Sequence, residues 1–302
     1  MAVSGSSTGL HIHRRQFLKG ALYGAGGLAL YAGEIERHFI EVSHSDVHLP
    51  GLSAAFDGMR IVQLSDIHLE IFTEPIFLRH AVNRINQLTP DAVFLTGDFI
   101  TGLKGAHRLR PMQEFFRHAA WQCAVILREL QCPLRYAILG NHDVHVGAAM
   151  VMEALSENGI TVLRNASHAI ERGNARFWLA GLDDALEGNP DPDLAIPASI
   201  RNLPGEPIVL LCHEPDYVDD LLTFPAGRAV SLMLSGHTHG GQVRLPLVGA
   251  LDLPPLGRKY VEGWFHRQNL QLHVNRGLGT VGVPFRFDCP PEISVLTLRA
   301  RA

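Results

Sequence analysis

The sequence has little of what marks disulfide-rich, nucleic-acid-binding or repeat proteins. Its four cysteines include no CxxC pair, which argues against a zinc knuckle or a thioredoxin-like site, and their spacing does not indicate a disulfide framework. A net charge of -4 gives no overall basic character, so we expect no nucleic-acid partner. Neither a repeat of solenoid period nor a low-complexity linker interrupts the chain. We therefore expect one domain after the N-terminal segment.

Apolar runs alternate with segments of helical spacing in both halves of the chain. Hydrophobic residues make up 46% of it and charged residues 19%, which is typical of a globular protein. Strands are predicted at residues 39–48, 60–65, 91–95, 134–139, 208–211, 229–234, 270–274 and 293–298. Helices are predicted at residues 76–88, 112–130 and 148–158. This alternation predicts an α/β fold.

The N-terminal segment resembles a twin-arginine export signal. Arg14 and Arg15 precede Phe17-Leu18-Lys19 and an uncharged run at residues 20–33. The run is short for a membrane span, which needs ~20 apolar residues. No small-x-small cleavage triplet stands directly before Glu34, which favours a segment that stays attached as an anchor. The alternative is an ordinary amphipathic N-terminal helix.

This interpretation sets the predicted domain division and location. We expect a signal or anchor segment at residues 1–37 and the folded domain at residues 38–302. The protein would be exported or anchored at the cytoplasmic membrane, with membrane association and with the twin-arginine export machinery as a partner. If the segment only anchors, the cytoplasmic face of the inner membrane is the alternative location.

Two histidines stand two residues apart where the predicted strand at residues 229–234 ends. Residues 235–242 read SGHTHGGQ, and in extended backbone the spacing puts His237 and His239 on the same side of the chain. The flanking glycines permit a sharp exit from the strand. Two histidines in this position are typical of a metal site. The alternative is a solvated strand end with two chance histidines, and the residues at the other strand ends decide between these interpretations.

Four more predicted strands end in side chains that bind metals. These are Asp66 with His68, then Asp98, then Asn141 with His142 and Asp143, and His213. In α/β sheets, binding sites form in the crevice at the carboxyl ends of the strands, so we expect these groups to meet. Carboxylate, imidazole and amide ligands suit two divalent metals, Mn, Fe, Co or Zn, with Mn favoured in an assay. Asp98, alone on its strand end, would bridge the two metals. Two metals ~3.5–4 Å apart can hold a hydroxide between them, which attacks phosphorus.

In this order, the motifs resemble those of the calcineurin-like metallophosphoesterases. The shared features are Asp66-x-His68, Gly97-Asp98, GNHD at residues 140–143, His213 after a strand, and GHTH at residues 236–239. Residues 237–242, 275–279 and 290–293 further resemble the bacterial branch that includes the YkuE and YaeI phosphodiesterases and the UDP-2,3-diacylglucosamine pyrophosphatases of LpxG type. The resemblance implies a four-layer α/β/β/α sandwich.

The resemblance also implies a role for each site residue. One metal would be held by Asp66, His68, His239 and the bridging Asp98, and the second by Asp98, Asn141, His213 and His237. His142 is similar to the histidine that donates to the leaving group or steadies the phosphate, and Asp143 to the acid that orients it. A structural role is the alternative for His142.

Departures from other members favour hydrolysis of a phosphodiester or pyrophosphate bond. Purple acid phosphatases have a tyrosine three residues after the bridging aspartate, where this chain has Thr101. Ser/Thr protein phosphatases carry Asp-Arg-Gly after that aspartate, which this chain lacks. We expect a metal-dependent phosphodiesterase or phosphohydrolase acting on a lipid-linked or cell-envelope substrate. The alternatives are a UDP-2,3-diacylglucosamine pyrophosphatase of lipid A synthesis and a non-catalytic binding scaffold.

A basic loop follows the bridging aspartate. Residues 102–111 contain Lys104, His107, Arg108 and Arg110, and the chain then continues into Phe115, Phe116 and Trp121. Cations beside apolar side chains suit an amphiphile with an anionic head, so we hypothesise a lid that selects lipid-linked phosphoesters. The alternative is a solvated loop followed by a core-facing helix.

Overall fold

Two six-stranded β-sheets form the centre of the protein. The computed structural model describes residues 14–69, 71–103, 105 and 109–300. In chain order the strands are β1 Glu41–Leu49, β2 Arg60–Leu64, β3 Ala92–Leu95, β4 Leu134–Ala137, β5 Thr161–Val162, β6 Ala166–Arg172, β7 Ala175–Gly181, β8 Ile208–Leu211, β9 Val230–Ser235, β10 Arg244–Leu245, β11 Gly249–Ala250, β12 Gly263–Arg267, β13 Leu270–Val274 and β14 Glu292–Ala300. The helices are α1 Arg14–Leu30, α2 Pro75–Gln87, α3 Arg110–Leu127, α4 Asn141–Glu157, α5 Pro192–Ala195, α6 Val218–Leu221 and α7 Pro225–Arg228.

Both sheets are built around parallel strands. The first has the order β1-β14-β2-β3-β4-β5 and the second the order β12-β13-β9-β8-β7-β6. Pairing is parallel from β2 to β5 and from β7 through β8 and β9 to β13. Consequently the carboxyl ends of β2, β3 and β4 share one sheet edge, and those of β8 and β9 share another.

Strands that are buried on both faces explain the continuous apolar runs of the sequence. In β2, Ile61 belongs to the cluster between the two sheets, and its neighbour Val62 belongs to the cluster beneath α2, α3 and α4. The short helices α6 and α7 cover the outer face of the second sheet, where Leu221 packs in one cluster with Met233. The predicted α/β/β/α sandwich is therefore confirmed.

The start of α4 differs from the sequence prediction. The chain is already helical from Asn141, where Asn141, His142 and Asp143 form the first turn, and a kink at Gly147 (φ 135°, ψ 90°) separates this segment from the helix predicted to begin at residue 148. The reason is capping, since the Asp143 carboxylate accepts a hydrogen bond from the backbone N–H of Gly140 at 3.0 Å. Apolar spacing carries no signal in this turn, because its side chains face the site rather than the core.

The location predicted from the N-terminal segment is wrong. Across the described residues, no helix has both the length and the apolar character that crossing a bilayer requires. Helix α1 has 17 residues, which at ~1.5 Å per residue is about 25 Å and shorter than the ~30 Å hydrocarbon core. The prediction that this helix anchors the protein in the membrane is therefore wrong. The export machinery and the division at residue 37 stay predictions.

Part of the basic loop lies outside the described residues. Lys104, His107 and Arg108 belong to that part, so the lid hypothesis stays a prediction. Arg110 is the first residue of α3, and Pro111 follows it in the first turn. Phe116 is buried in the cluster beneath α3, whereas Trp121 is 43% exposed.

Candidate metal centre

The predicted site residues meet where five strands end. Asp66 and His68 follow β2, Asp98 follows β3, Asn141 to Asp143 follow β4, His213 follows β8, and His237 and His239 follow β9. The first three strands belong to one sheet and the last two to the other. The centre therefore lies across the ends of both sheets, and neither sheet provides it alone.

Asp66, His68 and His239 form one compact group of ligand atoms. Their donor atoms all lie within 4.8 Å of one another. His239 Nε2 is 3.5 Å from Asp66 Oδ1 and 3.1 Å from His68 Nε2. Together with Asp98, these are the residues that the resemblance assigns to one metal.

Asp98 connects this group to the second one. Its Oδ2 atom lies 3.5 Å from His68 Nε2 and 3.3 Å from His213 Nε2. The ring of His213 meets that of His237 with centroids 5.0 Å apart. One carboxylate oxygen thus faces a histidine of each predicted metal position, which is the geometry a bridging ligand needs.

The backbone at the ligands adopts a conformation that favours glycine. Asp66, His68, Asp98, His237 and His239 all have φ between 49° and 71°. Such values are uncommon for residues with a Cβ atom and concentrate at functional sites, where the surrounding fold holds them. The strand ends turn sharply here, and the turn directs each side chain towards the centre.

His142 and Asp143 contact Asp98 through hydrogen bonds that involve backbone N–H groups. The N–H of His142 donates to Asp98 Oδ1 at 2.9 Å, while its Nδ1 faces the N and O atoms of Gly102 at 2.9 and 3.2 Å. The Asp143 carboxylate accepts the N–H groups of Asp98, Phe99 and Gly140 at 2.8 to 3.0 Å. Asp143 therefore holds the two loops together, and it reaches His142 through the backbone of that turn.

Burial keeps most of the histidines in the neutral form that metal ligation requires. It lowers the pKa of His68 to about 3 and that of His237 to about 4. Burial also raises the pKa of the Asp66 carboxyl to about 6. His213 is the exception, because the charges of Asp98 and Asp66 outweigh burial and raise its pKa well above the usual value.

A buried acceptor supports the fit of these residues to a cation. The Oδ1 atom of Asn141 is buried and accepts no hydrogen bond from any residue that the structure describes. An amide oxygen without a partner is costly in a protein interior and is a good ligand for a divalent ion. Oxygen and imidazole donors of this kind match the predicted metals.

Three further residues support the centre and were missed at the level of sequence. Glu214 forms a compact group with His213 and His237 and accepts the N–H of Ala185 at 3.1 Å. Gln242 joins two loops, since its Nε2 donates to the carbonyls of Val281 and Val283. For Glu214 the available signal was its position directly after His213, and for Gln242 its place in the 235–242 motif.

Arg286 is the third residue that supports the centre, and it is fully buried. Its Nη2 donates to the carbonyls of Arg276, Gly277 and Gly279, at 2.9, 3.1 and 2.6 Å. The same atom lies 3.5 Å from His239 Nδ1. Nothing in the spacing of the sequence distinguishes this arginine, because its partners are backbone carbonyls of an irregular loop 7 to 10 residues earlier, and such contacts follow no sequence pattern.

The chain is similar to several known proteins. The family model for calcineurin-like phosphoesterases matches residues 59–241. The metallophosphoesterase YkuE of Bacillus subtilis, described as uncharacterized, is 35% identical over 299 residues, covering 95% of this chain and 98% of that protein. The phosphodiesterase YaeI of Escherichia coli is 31% identical over 293 residues, covering 95% and 99%. The UDP-2,3-diacylglucosamine pyrophosphatase LpxG of Chlamydia trachomatis is 27% identical over 323 residues, covering 88% and 92%.

Proposed function

The chain belongs to the calcineurin-like phosphoesterase family, as its motifs predicted, and from this premise we propose that it hydrolyses a phosphodiester or pyrophosphate bond with two divalent metals. The observation that carries the proposal is the position of Asp98. A single buried carboxylate oxygen faces one histidine from each sheet, at 3.5 and 3.3 Å. A binding scaffold without catalysis gives no reason for such a bridge.

Residues of this chain have separate tasks in the proposed reaction. As the family resemblance implies, Asp66, His68, Asp98 and His239 would hold one metal, and Asp98, Asn141, His213 and His237 the other. In support, the donor atoms of Asp66, His68 and His239 lie within 4.8 Å of one another, as do those of Asp66, Asp98 and His213. Bound metals would activate water and neutralise the charge of the phosphate. His142 would steady the phosphate or protonate the leaving group, because its ring lines the cavity at the centre while its Nδ1 is turned towards Gly102.

We extend the proposal to a lipid-linked phosphoester as the substrate. Two observations support this extension. An apolar cavity of about 770 Å³ opens on the centre, and the relative from Chlamydia trachomatis is named for a diacylated sugar nucleotide. A pyrophosphatase that acts on a nucleotide-linked lipid is the second candidate, and the same two observations favour it.

Metal content and turnover test the proposal together. The purified chain is stripped with a chelator, reloaded with Mn²⁺, and assayed on bis-p-nitrophenyl phosphate. We expect activity to disappear and return with the metal. Loss of activity without recovery in any of the four metals, in a protein that remains folded, would favour the scaffold alternative.

Asp98→Asn tests the bridge itself. An amide cannot supply the shared negative charge that two cations need, so we expect the variant to lose most of its metal and nearly all hydrolysis while staying folded. Asp46→Asn is the matched control, because Asp46 forms an exposed ion pair with Arg299 on the protein surface. Full activity of Asp98→Asn in excess Mn²⁺ would rule out the bridging role.

A further inference from the structure

An apolar cavity extends from the candidate metal centre to the N-terminal helix. At one end its wall includes Asp98, His142 and His239, and at the other it includes residues of α1. Its volume of about 770 Å³ lies in the range of small-molecule sites. A ligand at the centre could therefore extend a part of itself into this cavity without leaving the phosphate position.

Helix α1 presents one continuous face to the cavity. The lining residues Ala25, Leu28 and Ala29 follow the spacing i, i+3, i+4, which places them on one side of α1. Ala32, which also lines the cavity, lies in the π-helical turn Tyr31–Ile35 that follows α1. Leu28 is 51% exposed, so no other side chain of the described residues covers it fully. Covering this face with an apolar partner is favourable, because it removes apolar surface from water.

A second part of the lining is also apolar, and it is tied to the centre. Val281, Val283 and Phe285 line it, and Val283 and Phe285 are 46% and 37% exposed. Gln242, three residues after His239, accepts the N–H of Val281 at 2.8 Å and donates to the carbonyl of Val283 at 3.0 Å. The wall is thus held in place by the same motif that carries two predicted ligands.

Contacts after α1 fix the helix over the cavity. The carbonyl of Ala32 accepts the N–H of Arg286 at 3.0 Å, and Glu36 Oε1 accepts that of Cys289 at 2.8 Å. A Cβ atom added to Gly33 would lie 2.9 Å from the ring of Phe285, so the backbone and the ring are in close contact. The turn that follows α1 therefore belongs to the wall of the site.

We propose that this cavity binds an apolar chain attached to the scissile phosphate, and that the α1 face of Ala25, Leu28 and Ala29 selects that chain. The inference rests on the proposed hydrolysis and adds a binding site to it. Away from the centre, Asp252 is the charged side chain among the described lining residues. An alkyl, acyl or prenyl chain fits this lining, whereas an anionic or strongly polar group does not.

A series of substrates that differ only in chain length tests the proposal. Methyl, butyl and octyl p-nitrophenyl phosphate diesters share the leaving group and the charge, and they are used below their micelle concentrations. We expect kcat/KM to rise with the chain by at most about fourfold per methylene, the change that corresponds to ~0.8 kcal/mol per buried CH₂. The full-length, metal-loaded protein is assayed.

Two leucines of α1 provide a matched pair of variants. Leu28 lines the cavity, whereas Leu30 does not and is 60% exposed on the other side of the helix. Leu28→Gln should lower the octyl-to-methyl ratio of kcat/KM by about tenfold, as expected when an apolar contact of this size is replaced by an amide. Leu30→Gln should leave the ratio within about twofold of the unaltered protein.

The possible results separate this inference from the proposed function. A kcat/KM that does not change with chain length, while the methyl ester is cleaved, would overturn the chain site and leave the hydrolysis intact. A chain dependence that is the same in all three proteins would overturn the role of α1. If the metal-loaded protein cleaves none of the esters, the proposed hydrolysis is contradicted, and the chain site, which rests on it, is rejected as well.

Discussion

His142 differs from the four histidines predicted to be ligands in its exposure and its contacts. It is half-buried and lines the cavity, whereas His68 is fully buried. Its ring meets the ring of His68 edge-on with centroids 4.9 Å apart, and its Nδ1 is turned to the backbone of Gly102. A ring nitrogen of His142 also lies within 4.8 Å of ligand atoms of His68 and Asp98. Because Nδ1 is turned to Gly102 and the ring lines the cavity, we expect Nε2 to act as a proton donor to the substrate.

His142→Ala should keep the metals and lower kcat by ~10²–10⁴, the usual effect of removing an acid–base group. The loss should be smaller for p-nitrophenyl esters than for alkyl esters, because a good leaving group needs less protonation. Metal analysis and kcat on both ester types measure the two effects. A fall in metal content would make His142 a ligand and contradict the assigned role.

His273 is a buried histidine outside the centre, and it links pH to stability. Burial lowers its pKa to about 4, and its Nδ1 lies 2.8 Å from Gln63 Oε1. Below the ordinary value of 6.5, the unfolded chain binds a proton that the folded chain does not bind until about pH 4. The contribution of this group to stability is therefore complete above pH 6.5 and is lost as the pH falls from 6.5 to 4.

Replacing this histidine should flatten the pH dependence. The free energy of unfolding of the unaltered protein should fall relative to that of His273→Gln by about 2 kcal/mol between pH 7.5 and pH 5. Urea titrations of both proteins at the two pH values give this difference, and acid effects that are common to both cancel. A difference that does not change with pH would show that His273 is not held neutral.

At the scale of the element, the loop after β13 supports the first strand end. Asn275 Nδ2 donates to Ser294 Oγ at 2.8 Å, and Leu278 N–H donates to the carbonyl of Ser65 at 2.9 Å. Gly277, with φ of 73°, lies against the side chain of Asp66. The motif at residues 275–279 is therefore a support for a ligand loop.

Gly277→Ala should weaken metal binding, because the new Cβ would lie 2.6 Å from the Cβ of Asp66 and displace that carboxylate. Gly58→Ala is the matched control, since its φ of 79° carries the same backbone strain with nothing within 4 Å. Both variants should lose comparable stability in urea, whereas only Gly277→Ala should need more Mn²⁺ for half-maximal activity. Equal Mn²⁺ requirements would contradict the support role.

At the scale of the whole molecule, the candidate centre joins the two sheets. Asp66, His68 and Asp98 come from the ends of the first sheet, and His213 and His239 come from the second. The apolar cluster between the sheets makes the same connection without metal. Bound metals would therefore add to the stability of a fold that is already formed.

Removing the metals should lower the melting temperature without unfolding the protein at room temperature. Two sites loaded at a hundredfold excess over Kd contribute about 2.7 kcal/mol each, which is a shift on the order of 10 °C for a chain of this size. Thermal melts before and after chelation, with Mn²⁺ added back, measure it. An unchanged melting temperature, in a protein whose metal was shown to be lost, would contradict metal binding by the folded state.

Much of the fold was predictable because it depends on local patterns. Strands that are buried on both faces are mostly apolar, so β2, β3, β8 and β9 could be recognised from short runs. The grouping of the candidate site residues was predictable for a similar reason, since predicted ligands such as His237 and His239 follow directly on those strands. The first turn of α4 could not be predicted, because a turn that is capped by Asp143 shows no periodic spacing of apolar residues.

By itself, the sequence determined which residue types stand at the strand ends and therefore which chemistry the chain can perform. Only the tertiary structure decided that β14 lies between β1 and β2, and that the ligand strands divide between two sheets. It also decided that α1 forms a wall of the cavity. The physical reason is that the spacing of residue types in a sequence carries information only about neighbours a few residues apart, whereas these contacts join residues that are far apart along the chain. The contacts of Arg286 with Ala32, or of Asp66 with His239, depend on the packing of the complete fold.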